Sequence, residues 1–153
     1  MMTALDMLRK EGVDIDEIEY ESACIAILLH DLGHGPYSHS LEYSLIKGVK
    51  HEDISLALMK MLNVEFEGRL ETAISIFTGT HPKRFLHQLV SSQLDVDRLD
   101  YLKRDSFYTG VTEGVIGSER ILSMLRIHND ELVIQSNSND KRFEDNSLFL
   151  EGS

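Results

Sequence analysis

Apolar positions along this chain recur three and four residues apart far more often than they alternate, which predicts a mainly helical protein. Residues 3–11 form a short amphipathic segment that Gly12 ends. Asp16 followed by Glu19 has the spacing of a capping box and opens a second helix through Ile18, Ala23, Ile27 and Leu28. Between Ala23 and Leu29 every position is apolar, so this helix is expected to be central and buried. Gly33, Gly35 and Pro36 stop it, and Ser38 or Ser40 can begin the next helix, closed by Gly48. Residues 52–62 carry Ile54, Leu58 and Met61 at helical spacing; residues 67–77 form another helix that Gly79 stops. Pro82 suits the first turn of a segment reaching Val90. In residues 94–105, Asp97, Tyr101 and Asp105 stand four apart on one helical face. Residues 118–124 read as a further helix. Two short apolar runs, 125–127 and 132–134, then flank Asn129-Asp130 as a hairpin.

Composition narrows the class. A chain of 153 residues with 42% hydrophobic and 27% charged residues suits one globular domain. No apolar run approaches the ~20 residues of a membrane span, and the first residues lack a secretory pattern. The one cysteine, Cys24, cannot form an internal disulfide and reads as a core thiol, so a cytoplasmic setting is expected. A net charge of −11 argues against a nucleic-acid surface, though not against a small anionic substrate, because a metal ion can reverse the local field.

The chemistry is concentrated where the second helix ends. His30-Asp31-Leu32-Gly33-His34-Gly35-Pro36-Tyr37-Ser38-His39 puts three imidazoles and a carboxylate into ten residues, a ligand chemistry that suits Zn, Fe or Mn. Far downstream, Leu94-Asp95-Val96-Asp97-Arg98-Leu99-Asp100-Tyr101 offers further carboxylates. Taken alone, a His-Asp pair at a helix end is usually structural, and Asp97 reads as a solvated acid beside Arg98. Together, however, these motifs resemble the HD-domain phosphohydrolases, and within them the deoxynucleoside triphosphate triphosphohydrolase branch. The resemblance runs from the first helix to Ser136.

That resemblance implies a divalent metal (Mn, Fe, Zn or Mg) held by His30, Asp31 and Asp97. It also implies a pocket in which His34, His39 and His51 meet the phosphates or pass protons. Arg98 would meet the triphosphate, and Tyr101 and Asp105 the sugar. The bland readings are a helix-start residue for His51, a buried hydrogen-bonding group for His39 and a core ring for Tyr101. His81, His87 and His128 stand in no motif and read as structural or exposed. Gly110, Gly114 and Gly117 lack the lysine of a phosphate loop and read as turns.

The family's first metal ligand is a histidine on an earlier helix, yet no histidine precedes His30. Glu11, Asp14 and Glu17 are acidic candidates without a motif. The expectation is therefore a chain that starts inside the domain: an incomplete HD-type helical domain over residues 1–136, with a small β-hairpin near 125–135 and a poorly ordered tail over 137–153. The implied substrate is a deoxynucleoside triphosphate, cleaved to deoxynucleoside and tripolyphosphate by a homo-oligomer. The alternatives are another HD phosphohydrolase or phosphodiesterase reaction, or a silent module that binds nucleotide or a partner.

Overall fold

The computed structural model describes residues 1–34, 50–91, 108 and 118–135. Among these residues the fold is mainly helical with one small hairpin, as the periodicity predicts. The elements are α1 (Met2–Lys10), α2 (Glu17–Leu29), α3 (His51–Glu65), α4 (Glu71–Phe77), α5 (Arg84–Val90), α6 (Ser118–Met124), β1 (Leu125–His128) and β2 (Glu131–Ile134). The helices predicted from Ser38 or Ser40 and over 94–105, the glycines at 110, 114 and 117, and the tail from 137 lie outside the described residues.

Local chemistry sets the boundaries. Asp16 accepts from the Glu19 N–H at 2.7 Å, and the Glu19 carboxylate accepts from the Asp16 N–H at 2.9 Å, so the capping box that opens α2 is present on both sides. Three helices end in the same Schellman pattern, with the chain turning through a left-handed residue. In α1 that residue is Gly12, whose N–H reaches the Arg9 carbonyl while Val13 reaches Leu8. In α4 it is Gly79, with Gly79 to Ile76 and Thr80 to Ser75. In α3 it is Glu67 at φ 54°, with Glu67 to Val64 and Gly68 to Asn63. This last motif corrects the expected start of α4 at residue 67: the turn consumes residues 66–70, and the helix begins at Glu71. Pro82 likewise stands before α5 rather than in its first turn, since Lys83 is the N-cap.

α2 packs against α4, α5 and α1, while α3 meets α4 and the hairpin rests on α5 and α1. The core joins Leu5 and Leu8 of α1, Ala23 and Ala26 of α2, Met59, Ile76, Leu86, Leu89 and Leu132. Truncating one of these leucines to alanine costs about 2–5 kcal/mol. Two helix faces differ from expectation. α2 is central, but Leu28 is 76% exposed, so the run from Ala23 to Leu29 is covered on one side by the small residues Ala23 and Ala26. On α3 the buried positions are Ser55 and Met59, whereas Met61 is largely exposed.

The hairpin pairs Leu125 with Ile134 and Ile127 with Leu132, and turns through Asn129 and Asp130, both at positive φ as a type I′ turn requires. Asp130 also serves α5. Its carboxylate accepts from the Arg84 N–H at 2.7 Å, supplying in trans the cap that Lys83 does not provide. Gln88 accepts from the Leu132 N–H at 2.6 Å, which fixes the hairpin against the same helix.

Candidate functional site

The His-Asp pair sits where α2 runs out. His30 is the C-cap, and the chain turns back through Leu32 to Leu29 and His34 to Asp31 hydrogen bonds. The His30 Nδ1 lies 2.6 Å from the Ile27 carbonyl. A carbonyl oxygen can only accept, so Nδ1 donates to it and Nε2 points the other way. There it meets Asp31 Oδ1 at 3.3 Å. An imidazole lone pair and a carboxylate oxygen facing each other repel unless a proton or a cation lies between them. Metal-ligating histidines typically show this arrangement, with the second ring nitrogen donating to a backbone carbonyl. His30 Nε2 and Asp31 Oδ1 are thus two donors of the kind a divalent ion takes.

Two further histidines join the pair. His34 Nε2 is 3.4 Å from the same Asp31 oxygen, and the His34 and His51 rings lie with centroids 4.1 Å apart at 31°. His51 begins α3 and its Nε2 is 3.3 Å from Glu52 Oε1. Asp53 reaches back to the Lys50 N–H, which helps start the helix there. Four of the residues singled out from sequence, His30, Asp31, His34 and His51, thus form one cluster. His39, Asp97, Arg98, Tyr101 and Asp105 lie outside the described residues. Among the described residues no three His, Cys, Asp or Glu side chains are placed to hold an ion together.

The acidic candidates for a further ligand are engaged elsewhere. Glu17 pairs with Arg9 at the opposite end of α2, about 20 Å from His30 along the helix at 1.5 Å per residue. Asp14 pairs with Lys83, and Glu11 with Arg126. His87 bonds the Ile76 carbonyl, His81 accepts from the Lys83 N–H, and His128 is exposed on the hairpin, all in keeping with structural or surface roles. Cys24 is half-buried, and burial pushes its thiol above the ordinary value, away from nucleophilic use.

Sequence reasoning missed two residues. Ser55, fully buried, donates to the His30 carbonyl at 2.7 Å and accepts from the Gly33 N–H at 2.9 Å. In the sequence, Gly33 signals only a helix stop. A Cβ there would run into the His51 carbonyl and fall 2.7 Å from the Ser55 nitrogen, so the turn lies directly against α3. The available signal was the i, i+4 spacing of His51 and Ser55, which puts both on one face of α3.

No protein-family model matches the chain. A crystal structure titled phosphohydrolase, from Bacteroides thetaiotaomicron, superposes with a TM-score of 0.80 at 59% identity, covering 86% of this chain and 33% of that one. The deoxynucleoside triphosphate triphosphohydrolase SAMHD1 homolog of Dictyostelium discoideum is 34% identical over 144 residues, 81% of this chain and 27% of that protein. A putative HD domain-containing protein of Acanthamoeba polyphaga mimivirus is 32% identical over 148 residues, 86% of this chain and 30% of that protein. These matches support the HD phosphohydrolase superfamily for this chain. The chain spans less than a third of the length of these curated relatives. No helix among the described residues is long and apolar enough to cross a membrane.

Proposed function

We propose that the protein is a metal-dependent phosphohydrolase acting on deoxynucleoside triphosphates, with the His30–Asp31–His34–His51 cluster as the described part of its site. The observation that carries this is the His30 geometry: a ring locked by the Ile27 carbonyl, with its Nε2 turned onto Asp31. In this reading His30 and Asp31 hold the ion together with Asp97. When bound, the ion supplies Lewis acidity toward a phosphoryl oxygen.

The chain's own residues do the rest. His34 and His51, their rings in tilted contact and backed by Asp31 and Glu52, stand beside the metal pair and handle protons during hydrolysis. The family resemblance assigns proton handling to His39 as well, the triphosphate to Arg98, and the sugar to Tyr101 and Asp105. Water adds to the α-phosphorus, the bond from phosphorus to the 5′ oxygen breaks, and a histidine returns a proton to that oxygen. The products are deoxynucleoside and tripolyphosphate. The relative named as a deoxynucleoside triphosphate triphosphohydrolase supports this choice of substrate.

The test uses the purified protein loaded in turn with Mn, Fe, Zn or Mg, a nucleotide panel, and identification of products. Tripolyphosphate release that His30→Ala and Asp31→Asn abolish, together with loss of bound metal, is the expected result. Pyrophosphate or monophosphate as product would replace the triphosphohydrolase assignment with another phosphohydrolase reaction. Unchanged metal content in both variants would remove His30 and Asp31 from the site.

A further inference from the structure

The contact between Ser55, Gly33 and His30 lies outside the reacting cluster, yet it joins the two elements that carry it. A serine inside a helix ordinarily points to solvent or bonds a carbonyl one turn back in its own helix. Ser55 does neither. Its hydroxyl is fully buried and spans the gap to another element, donating to one backbone carbonyl and accepting from one backbone N–H. Both groups belong to the turn that bears Asp31 and His34. The close approach of Gly33 to the His51 carbonyl leaves no room for the two segments to slide past each other.

Because Ser55 and His51 share a face of α3, fixing the Ser55 hydroxyl to the turn also fixes where the His51 ring projects. That ring stacks on His34 at 4.1 Å. We propose that Ser55 is a positioning residue: its buried hydroxyl sets the register between the His-Asp turn and α3, and so holds His51 against His34, the ring that meets Asp31. This rests on the phosphohydrolase reading for its catalytic consequence, but not for its structural one.

The experiment compares Ser55→Ala with the parent protein in two ways. Steady-state turnover of a deoxynucleoside triphosphate is measured well below the melting temperature, where both proteins are folded by circular dichroism. Ring-proton resonances of His34 and His51 are followed in histidine-labelled protein, assigned by single substitution. A misplacement of about 1 Å can lower turnover about 100-fold, so kcat is expected to fall by about 10- to 100-fold with KM little changed. Both ring resonances should shift as the stacking is lost. If Ser55→Ala does not fold, Ser55→Cys, of similar size and with a weaker donor, is expected to move both readouts the same way to a smaller extent. A folded variant with a lower melting temperature but unchanged kcat and unchanged His34 and His51 resonances would make Ser55 a stability residue only, and overturn the proposal. A parent protein that turns over no nucleotide would sink the proposed function, while the ring resonances would still decide the role of Ser55.

Discussion

Lys83 offers the sharpest test of how the loops are held. Its ammonium donates to Glu19 Oε2 at 2.7 Å and to the Asp14 carbonyl at 2.8 Å, tying the α1–α2 connection to the start of α5. Glu19 is nearly buried and, among the described residues, keeps only the Asp16 N–H and the more distant His81 once Lys83 is gone. Lys83→Met retains the aliphatic stem and removes the charge. Stripping one partner from a fully buried pair costs about 3–5 kcal/mol, whereas an exposed pair is worth about 0–1. The Lys83 side chain is 27% exposed, so solvent screens part of the interaction, and about 2 kcal/mol is expected. For a domain of this size that is about 4–8 °C in melting temperature. Asp14→Asn is the control: its side chain is 95% exposed, and the change should be within about 0.5 kcal/mol. Partial burial acts to lower the Lys83 value, but the bonds to Glu19 and Asp14 outweigh it and hold the ammonium above the ordinary 10.5. A folded-state value raised in this way stabilises fully below the ordinary lysine range and is lost as pH climbs through the higher folded value. The difference between parent and Lys83→Met should therefore be constant near neutrality and shrink only above that range. Thermal unfolding across pH decides it. Equal stability of Lys83→Met and Asp14→Asn at neutral pH would refute the clamp.

Other changes give distinct signatures. Glu67→Gly should stabilise by up to about 1 kcal/mol in denaturant titration, because Glu67 occupies a left-handed position that Gly12 and Gly79 fill in the two other Schellman turns. Gly33→Ala should destabilise by at least about 1–3 kcal/mol, since its Cβ meets backbone rather than a movable side chain; a neutral result would show that the turn stands off α3. Asp130→Ala should cost about 1 kcal/mol through loss of the cap on Arg84, and hydrogen exchange should quicken at the start of α5 before it does in α2.

Much of the fold was legible because single residues announce their local geometry. Asp16 and Glu19 define where α2 begins, and Asn129-Asp130 tolerate the left-handed pair of a type I′ turn. Glu67 hid the end of α3 because a glutamate in the C′ position carries no such announcement; Gly68, one residue later, was the only hint. Apolar runs did not reveal which side of α2 is covered, since Ala23 and Ala26 pack more closely than the larger Leu28. At the candidate site, His30, Asp31 and His34 stood out by their close spacing in the sequence, and His51 only through the family resemblance. Ser55 was not, because a serine in a helix is unremarkable until the backbone opposite it is known.

The Ser55 contact joins two helix ends of opposite polarity. α2 presents its terminal carbonyls at His30, the negative end of its dipole, and α3 begins with its positive end at His51. Each end is the other's counterweight, and loosening one leaves the other's partial charge uncompensated. The last turn of α2 and the first turn of α3 should then open as a single cooperative unit, with amides near residues 28–34 and 51–55 exchanging at one common rate. A metal or nucleotide at the His-Asp turn would consequently protect the first turn of α3, although that helix is distant from the pair in the chain.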